Sequence, residues 1–206
     1  MLGVGACDFP MPQVPPGMEL RCGADAECTE AGKAVCDLTP EVPVCVQCTP
    51  QKASACMGTT PVCGADSKAC RGCAAHAECT DSAVCEAAGS CADKTKVLYA
   101  APNGTGTACS KDMPCTLSEA LGKVTATMNV IKLSGGTFVT NINLDGNMRG
   151  LKDFTITVLA EPGTKLQAMT AGEPVLELRN AAKMSLFDVE LSGSTGETVK
   201  LGPMKG

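Results

Sequence analysis

Short stretches in which hydrophobic and polar residues alternate fill the second half of the chain, and Gly, Asn and Pro separate them. Alternation with a period of two places the apolar side chains on one face of a strand. The pattern therefore predicts an all-β region. The predicted strands cover residues 130–133, 141–144, 154–159, 164–166, 174–178, 184–191 and 198–201.

The apolar positions of these strands also recur over a longer distance. They repeat every 21 to 30 residues, as from Ile131 to Ile156 and from Leu176 to Val199. A period of this length is typical of architectures that stack one repeat on the next. The spacing favours a solenoid of parallel strands over a β-sandwich.

A helical pattern precedes the first of these strands. Thr116 and Glu119 match a capping box, in which a hydroxyl and a carboxylate satisfy the first backbone N–H groups of a helix. The sequence predicts a short amphipathic helix over residues 117–127, with its apolar face covering a core. That face consists of Leu117, Ala120, Leu121, Val124 and Met128.

All 15 cysteines lie between Cys7 and Cys115, and twelve of them form three groups of four whose starts are 26 and 25 residues apart. Similar residues recur in 22–28 and 73–79, which marks a threefold repeat. Four cysteines allow two disulfides in three connectivities, and spacing does not choose among them. The cysteines predicted to form disulfides are Cys22, Cys28, Cys36, Cys45, Cys48, Cys56, Cys63, Cys70, Cys73, Cys79, Cys85 and Cys91 in the groups, with Cys109 and Cys115 as a seventh pair.

Zinc is the competing interpretation of part of this module. The pairs Cys45-Val-Gln-Cys48 and Cys70-Arg-Gly-Cys73 are separated by 21 residues, close to the spacing of a four-cysteine zinc site. Disulfides account for all twelve cysteines, whereas zinc accounts for four. We therefore predict disulfides, with no metal and no cofactor, and we interpret the single histidine, His76, as a surface residue.

Charge and aromatic content divide the chain at nearly the same place as cysteine. Residues 1–93 hold 5 Lys and Arg against 12 Asp and Glu, and residues 94–206 hold 12 against 10. Every aromatic residue except Phe9 lies in the second part, so the first part must rely on cross-links more than on a hydrophobic core. We predict a Pro-rich anchor and linker (1–21), a cysteine-rich module (22–93) and a β domain (94–206).

Composition also excludes classes of function. A net charge of −5 and an aromatic content of 2% provide neither the basic surface nor the stacking platform of a nucleic-acid-binding protein. The chain contains no run of 18 apolar residues that would predict a transmembrane helix. Its cysteine content is typical of an oxidising compartment, so we expect an extracellular or outer-surface protein.

The N-terminus resembles a bacterial lipoprotein signal at Val4-Gly-Ala-Cys7. The resemblance implies that Cys7 is lipidated and becomes the mature N-terminus, with the Pro-rich segment as a tether. Only three residues precede Val4, so this hypothesis expects an upstream apolar segment encoded before the given start. The alternative is that Cys7 is an unpaired cysteine in a disordered tail.

A second resemblance begins at Val97-Leu-Tyr-Ala and ends at Ser134-Gly-Gly-Thr-Phe138. The sequence predicts, in order, a strand, an Asn-Gly loop, a helix and an aliphatic strand that leads into Gly-Thr-Phe. This order resembles the opening of bacterial right-handed parallel β-helix proteins of the pectin-lyase-like superfamily, and residues 183–193 resemble a later rung. The resemblance covers about residues 95–206. It implies the first coils of a right-handed parallel β-helix with an N-terminal capping helix, and we expect the coils to continue beyond the given end.

The same family includes polysaccharide lyases and hydrolases, which use paired carboxylates or acidic calcium ligands with a basic residue. About three coils are too few for such a groove, so we predict no enzyme activity. We expect a non-enzymatic secreted or lipid-anchored surface protein that displays a β-helix for adhesion or carbohydrate binding. The alternative is the leading, non-catalytic portion of a polysaccharide-degrading enzyme. We expect Asp188 and Glu190, two residues apart on a predicted strand, to share one face, as part of a solvated polar surface. The charges available for catalysis in this region are Asp145, Arg149, Asp153, Glu161, Glu177, Arg179, Asp188, Glu190 and Glu197.

Overall fold

A computed structural model of the protein describes residues 21–193 and 195–202. These residues form two compact units. The first, here called the cysteine unit, holds the described residues up to Met57 together with Pro61–Arg71. The second, the sheet unit, holds Gly58–Thr60 and the described residues from Gly72 onward. The third cysteine group thus belongs to the same compact unit as the β region.

Only short elements occur in the described part of the cysteine unit. They are the 3₁₀ helices Asp25–Glu27 and Pro50–Ala55 and the strands β1 (Val35–Asp37), β2 (Val44–Val46), β3 (Val62–Cys63) and β4 (Cys70–Arg71). β1 pairs with β2 and β3 with β4, both antiparallel. Two-stranded ribbons of this length do not hold together in water without further support.

That support is covalent, and its connectivity is the same in all three cysteine groups. In each group the first cysteine bonds to the third and the second to the fourth, which closes loops of 12 to 17 residues. The predicted disulfide framework is therefore present, and the tertiary structure selects one of the three connectivities. The pairs are Cys22–Cys36, Cys28–Cys45, Cys48–Cys63, Cys56–Cys70, Cys73–Cys85 and Cys79–Cys91, and Cys109 bonds to Cys115.

The sheet unit contains parallel strands and one α-helix. In chain order its elements are the 3₁₀ helices His76–Glu78 and Lys94–Lys96, β5 (Val97–Ala100), α1 (Leu117–Lys123), β6 (Val130–Leu133), β7 (Thr137–Val139), β8 (Ile142–Asp145), β9 (Thr155–Gln167), β10 (Leu176–Arg179), β11 (Lys183–Ser192) and β12 (Val199–Leu201). The predicted β-rich region is confirmed. The predicted strands 154–159 and 164–166 are two parts of the single strand β9.

All strand pairings in this unit are parallel. One sheet has the order β11, β9, β6, β5, with β7 also paired to β9, and the other has the order β12, β10, β8. The strands curl into a half-barrel. Leu176 lies opposite Val199, as the sequence repeat predicted, but Ile131 lies opposite Val158 rather than Ile156. Alternation alone does not distinguish registers that differ by two residues, because both keep the same face inward.

Helix α1 begins as predicted and ends early. The Thr116 hydroxyl accepts a hydrogen bond from the Glu119 N–H at 3.2 Å, which is an N-cap. The helix ends at Lys123 instead of residue 127 because Val124 already has an extended backbone. The Arg149 guanidinium donates to the carbonyls of Leu121 and Gly122 and so satisfies the last turn of the helix.

Two hydrophobic clusters lie on opposite faces of the longer sheet. The inner cluster contains fully buried aliphatic residues such as Ile131 and Leu133, and α1 packs against it. The outer cluster joins the third cysteine group to the sheet, because Val84 packs with Tyr99 and Leu159. The Tyr99 hydroxyl also donates to the Ser82 carbonyl at 2.8 Å. The third cysteine group therefore shares a core with the sheet.

Candidate functional site

A cleft of about 520 Å³ lies between the third cysteine group and strand β11. We call it the His76 cleft. One wall comes from the turn that contains the Cys73–Cys85 disulfide, and the other comes from Asp188 on β11. Its lining residues are Cys73, Ala74, Ala75, His76, Cys85, Glu86, Ala87 and Asp188.

His76 is held in one orientation and one tautomer. It begins a 3₁₀ turn, and its Nδ1 accepts the backbone N–H of Cys85 at 2.9 Å. A neutral imidazole that accepts at Nδ1 carries its proton on Nε2, which is then a donor. Burial lowers the pKa of His76, and the positive charge of Lys132 lowers it further, while Asp188 and Glu161 oppose this effect. His76 is therefore neutral at neutral pH.

The first cysteine group shows the same turn with a different residue at this place. Asp25 stands where the third group has His76, and its Oδ1 accepts the backbone N–H of Cys36 at 2.8 Å. In both turns a glutamate two residues later accepts a backbone N–H at 2.7 Å, as Glu27 and Glu78 do. The similarity of residues 22–28 to residues 73–79 already places Asp25 and His76 at equivalent positions. The prediction that His76 is a surface residue did not include its hydrogen bond to Cys85, because that bond forms only when the third cysteine group folds back on itself.

Asp188 reaches the cleft because β11 is irregular at that residue. The register between β11 and β9 shifts between Phe187 and Val189, and Asp188 has a φ of 58°. Between these paired positions Asp188 stands alone on β11 against residues 160–163 on β9, and an irregularity of this kind redirects side chains. That Asp188 and Glu190 share one face of the strand stays a prediction. Glu190 lies between Val189 and Leu191, which pack against the inner cluster, and it forms an ion pair with Lys165 at 3.0 Å.

The cleft offers hydrogen-bonding atoms of both kinds. Among the residues that the structure describes, neither the Asp188 carboxylate nor Nε2 of His76 has a protein hydrogen-bond partner. The Glu86 carboxylate accepts from the Ser90 hydroxyl at 2.6 Å. Phe187, which precedes Asp188, is half exposed and lies opposite Leu159 of the outer cluster. An aromatic ring, a donor and an acceptor thus occur together on this outer surface.

An ion pair with one buried partner lies close to the cleft. Lys132, on the outer face of β6, is only 5% exposed, and its Nζ lies 2.8 Å from Oε1 of Glu161. A smaller pocket of about 180 Å³ borders this pair and is also lined by Tyr99 and Lys111. Burial raises the pKa of Tyr99, and Asp81 adds to the effect. Because Lys132 and Glu161 also act on the pKa of His76, the imidazole lies within the field of this pair.

The remaining charged residues named in the sequence analysis do not line the His76 cleft, and several of them bond to other parts of the sheet unit. Glu177 accepts from Arg179 at 2.6 Å, lies 3.4 Å from Lys200 and accepts from Asn143. Arg179 first and then Lys200 lower the pKa of Glu177. These side chains form a polar ladder across β8, β10 and β12. Arg149 caps α1, and Asp145 accepts from Asn180 at 2.9 Å. Asp153 and Glu197 lie in the connections before β9 and β12.

The sulfurs of the three described cysteine groups do not form a metal site while they are oxidised to disulfides. In each cysteine group three sulfurs lie within 4.8 Å of one another, but each of them is part of a disulfide and is not a thiolate ligand. The four cysteines of the zinc interpretation belong to four different disulfides. Cys7, the predicted lipidation site, lies outside the described residues.

Comparison with protein-family profiles, with curated proteins and with solved structures finds no match to this chain. Among the described residues, no helix has the length and apolar character needed to cross a membrane. The seven disulfides fit an extracellular protein.

Proposed function

We propose that this chain is a non-enzymatic extracellular protein, secreted or lipid-anchored, that binds carbohydrate in the His76 cleft. Disulfide-linked modules act as its stalk, and the parallel strands are the first coils of a right-handed β-helix of the pectin-lyase-like type. The coil-length spacing from Leu176 to its register partner Val199 supports the β-helix. The disulfide density supports the extracellular location.

We infer the ligand class from His76 and Asp188, which both line the cleft. Sugar hydroxyls donate and accept at once, so a site that offers one fixed donor and one acceptor suits them. Nε2 of His76 is a donor because Nδ1 is occupied by Cys85, and the Asp188 carboxylate is an acceptor. Phe187, half exposed beside them, provides the apolar surface on which the C–H face of a sugar ring packs.

The test is binding of the full chain, produced in an oxidising compartment, to a panel of neutral and acidic polysaccharides by affinity electrophoresis and calorimetry. We expect Asp188→Asn to weaken binding at least about tenfold, since the lost interaction is a charged hydrogen bond of roughly 1.5–3 kcal/mol. Glu190→Gln is the matched control on the same strand, because Glu190 faces Lys165, and it should bind as the wild type does.

A second variant separates binding from folding. His76→Asp places in the third group the residue that makes the same backbone contact in the first group, where Asp25 accepts from Cys36. The turn should therefore keep its hydrogen bond while the cleft loses the Nε2 donor. We expect seven disulfides by mass spectrometry and weakened binding. Unchanged affinity in both Asp188→Asn and His76→Asp, or release of new sugar ends by the wild type, would overturn the proposal.

A further inference from the structure

The pocket of about 180 Å³ beside Lys132, here called the Lys132 pocket, is separate from the His76 cleft, because no residue lines both. Its walls include Ala83 in the third cysteine group, Lys111 in the loop closed by the Cys109–Cys115 disulfide, and Tyr99 and Lys132 on β5 and β6. Pockets that hold drug-sized ligands measure about 300–1,000 Å³. The Lys132 pocket therefore suits a smaller molecule.

One part of the pocket wall is apolar. Ala83, Tyr99 and Pro114 line it, and the Tyr99 hydroxyl already donates to the Ser82 carbonyl at 2.8 Å. Apolar walls with a few placed polar groups are typical of sites for small molecules. A ligand of this pocket therefore needs a short hydrocarbon body.

Lys132 contributes a buried positive charge to the same pocket. Its side chain is 6% exposed, and Oε1 of Glu161, at 2.8 Å, is the single partner of its Nζ within the described residues. An ammonium group has three N–H donors, and a buried ion needs hydrogen bonds in addition to its counter-ion. Lys132 thus has donors left for an acceptor in the pocket.

A second ammonium group borders the pocket from the loop. Lys111 is exposed and donates a hydrogen bond to the Thr80 carbonyl. The charged residues that line the pocket are Lys111, Lys132 and Glu161. Two positive charges thus face one negative charge, and this balance favours a ligand with a single negative charge over a neutral or cationic one.

We propose that the Lys132 pocket binds a short aliphatic monocarboxylate. The carboxylate accepts from Lys132 and Lys111, and the hydrocarbon body packs on Tyr99 and Pro114. Hydrogen bonds between an ammonium group and a carboxylate are about twice as strong as neutral ones. The Glu161 carboxylate competes for the same ammonium group, so the ligand and Glu161 share Lys132. The site is independent of carbohydrate binding, because the His76 cleft and this pocket have no lining residue in common.

Tyrosine fluorescence tests this inference directly, because Tyr99 is the single tyrosine of a chain that contains no tryptophan. We expect isovalerate, added to the full chain at constant ionic strength, to change this fluorescence until it reaches saturation. The neutral analogue isovaleramide has the same hydrocarbon body. It should bind at least about tenfold more weakly, because it lacks the charged hydrogen bonds.

Two variants should act on the pocket in opposite directions. Lys111→Gln removes one cation and should weaken isovalerate binding about threefold, since the charge is exposed. Glu161→Gln removes the competing carboxylate and should strengthen binding about threefold. Lys152→Gln is the matched control, because Lys152 is an exposed lysine that does not line the pocket, and it should bind isovalerate as the wild type does.

Unfolding is excluded as a cause if each variant keeps its seven disulfides and the wild-type circular dichroism spectrum. A fluorescence change that does not saturate would overturn the inference, as would equal affinities for isovalerate and isovaleramide. Equal weakening by Lys111→Gln and Lys152→Gln would indicate a general effect of surface charge and would also overturn it. Unchanged affinity in both Lys111→Gln and Glu161→Gln would place the carboxylate outside the Lys132 pocket, with the same consequence.

Discussion

The cysteine unit and the sheet unit are stabilised by different means. In the cysteine unit the buried cluster consists of half-cystines, namely Cys22, Cys28, Cys36 and Cys45. In the sheet unit it consists of aliphatic residues of parallel strands, with Ile131 and Leu133 fully buried. A cystine restricts the unfolded chain, whereas an aliphatic core gains from removing apolar surface from water. The first unit thus depends on redox conditions more than the second does.

The third cysteine group combines both means. It has the same disulfide connectivity as the other two groups, and it also contributes Val84 and Ala92 to the cluster around Tyr99. A repeat that begins as a covalent module has here become part of a hydrophobic core. The stability of a cysteine group therefore depends on the residues that pack around it as well as on its own disulfides.

Reduction of the disulfides should produce the largest effect and should separate the two units. Each cystine that closes a loop of about 15 residues contributes roughly 3 kcal/mol, and the cysteine unit contains four. After reduction and alkylation we expect β1 and β2 to lose their protection from hydrogen exchange while β6 and β9 keep theirs. Loss of protection in β6 and β9 at the same reductant concentration would show that the sheet unit depends on its disulfides as much as the cysteine unit does.

Truncation in the aliphatic core should produce the next largest effect. Ile131 is fully buried, so Ile131→Ala should cost about 2–5 kcal/mol in a chain whose disulfides remain intact. Val139→Ala removes a half-exposed side chain from the same sheet and should change stability by less than about 0.5 kcal/mol. Urea unfolding followed by circular dichroism measures both. An equal loss of unfolding free energy in Ile131→Ala and Val139→Ala would mean that burial of Ile131 does not stabilise the sheet unit.

Removal of one hydroxyl should loosen the third cysteine group from the sheet. Tyr99→Phe keeps the ring in the outer cluster but leaves the Ser82 carbonyl without the hydrogen bond from Tyr99. We expect a loss of about 1 kcal/mol and faster hydrogen exchange in residues 79–85. Exchange in β1 should not change, because β1 belongs to the cysteine unit, and an equal increase there would contradict a local effect.

A change of pH should produce the smallest effect and should distinguish the two equivalent turns. The pKa of His76 lies below its ordinary value of 6.5, because of burial first and Lys132 second. The unfolded chain therefore binds a proton first, and stability should fall as the pH drops from 6.5 to the folded-state pKa. The pKa of Asp25 lies below 3.8, chiefly because of its bond to Lys52, so its contribution should be lost only below about pH 3.8.

The midpoint of thermal unfolding, followed against pH, measures these two windows. His76 is the single histidine of the chain, so His76→Asp should abolish the decline that begins near pH 6.5. Asp25→Asn should flatten the decline at acidic pH and leave the His76 window unchanged. A decline near pH 6.5 that persists in His76→Asp would have to come from another group.

Much of the fold follows from local patterns in the sequence. Alternation located the strands, because a half-buried strand needs apolar residues on one side only. The Thr116 cap located the start of α1, and the spacing of the cysteines located three equivalent modules. These features depend on neighbours within a few residues, so they can be recognised without knowledge of the remaining chain.

Tertiary structure decided the features that depend on distant partners. It chose one disulfide connectivity of three, since sulfurs pair according to where the chain folds back and not according to spacing. It set Ile131 against Val158, because the connection between the strands decides between registers that alternation leaves equal. The cleft depends on the bulge at Asp188, which requires β11 to pair with β9, and on the hydrogen bond from Cys85 to His76, which requires the third cysteine group to fold back on itself. Its two walls come from segments that are more than 100 residues apart in the sequence.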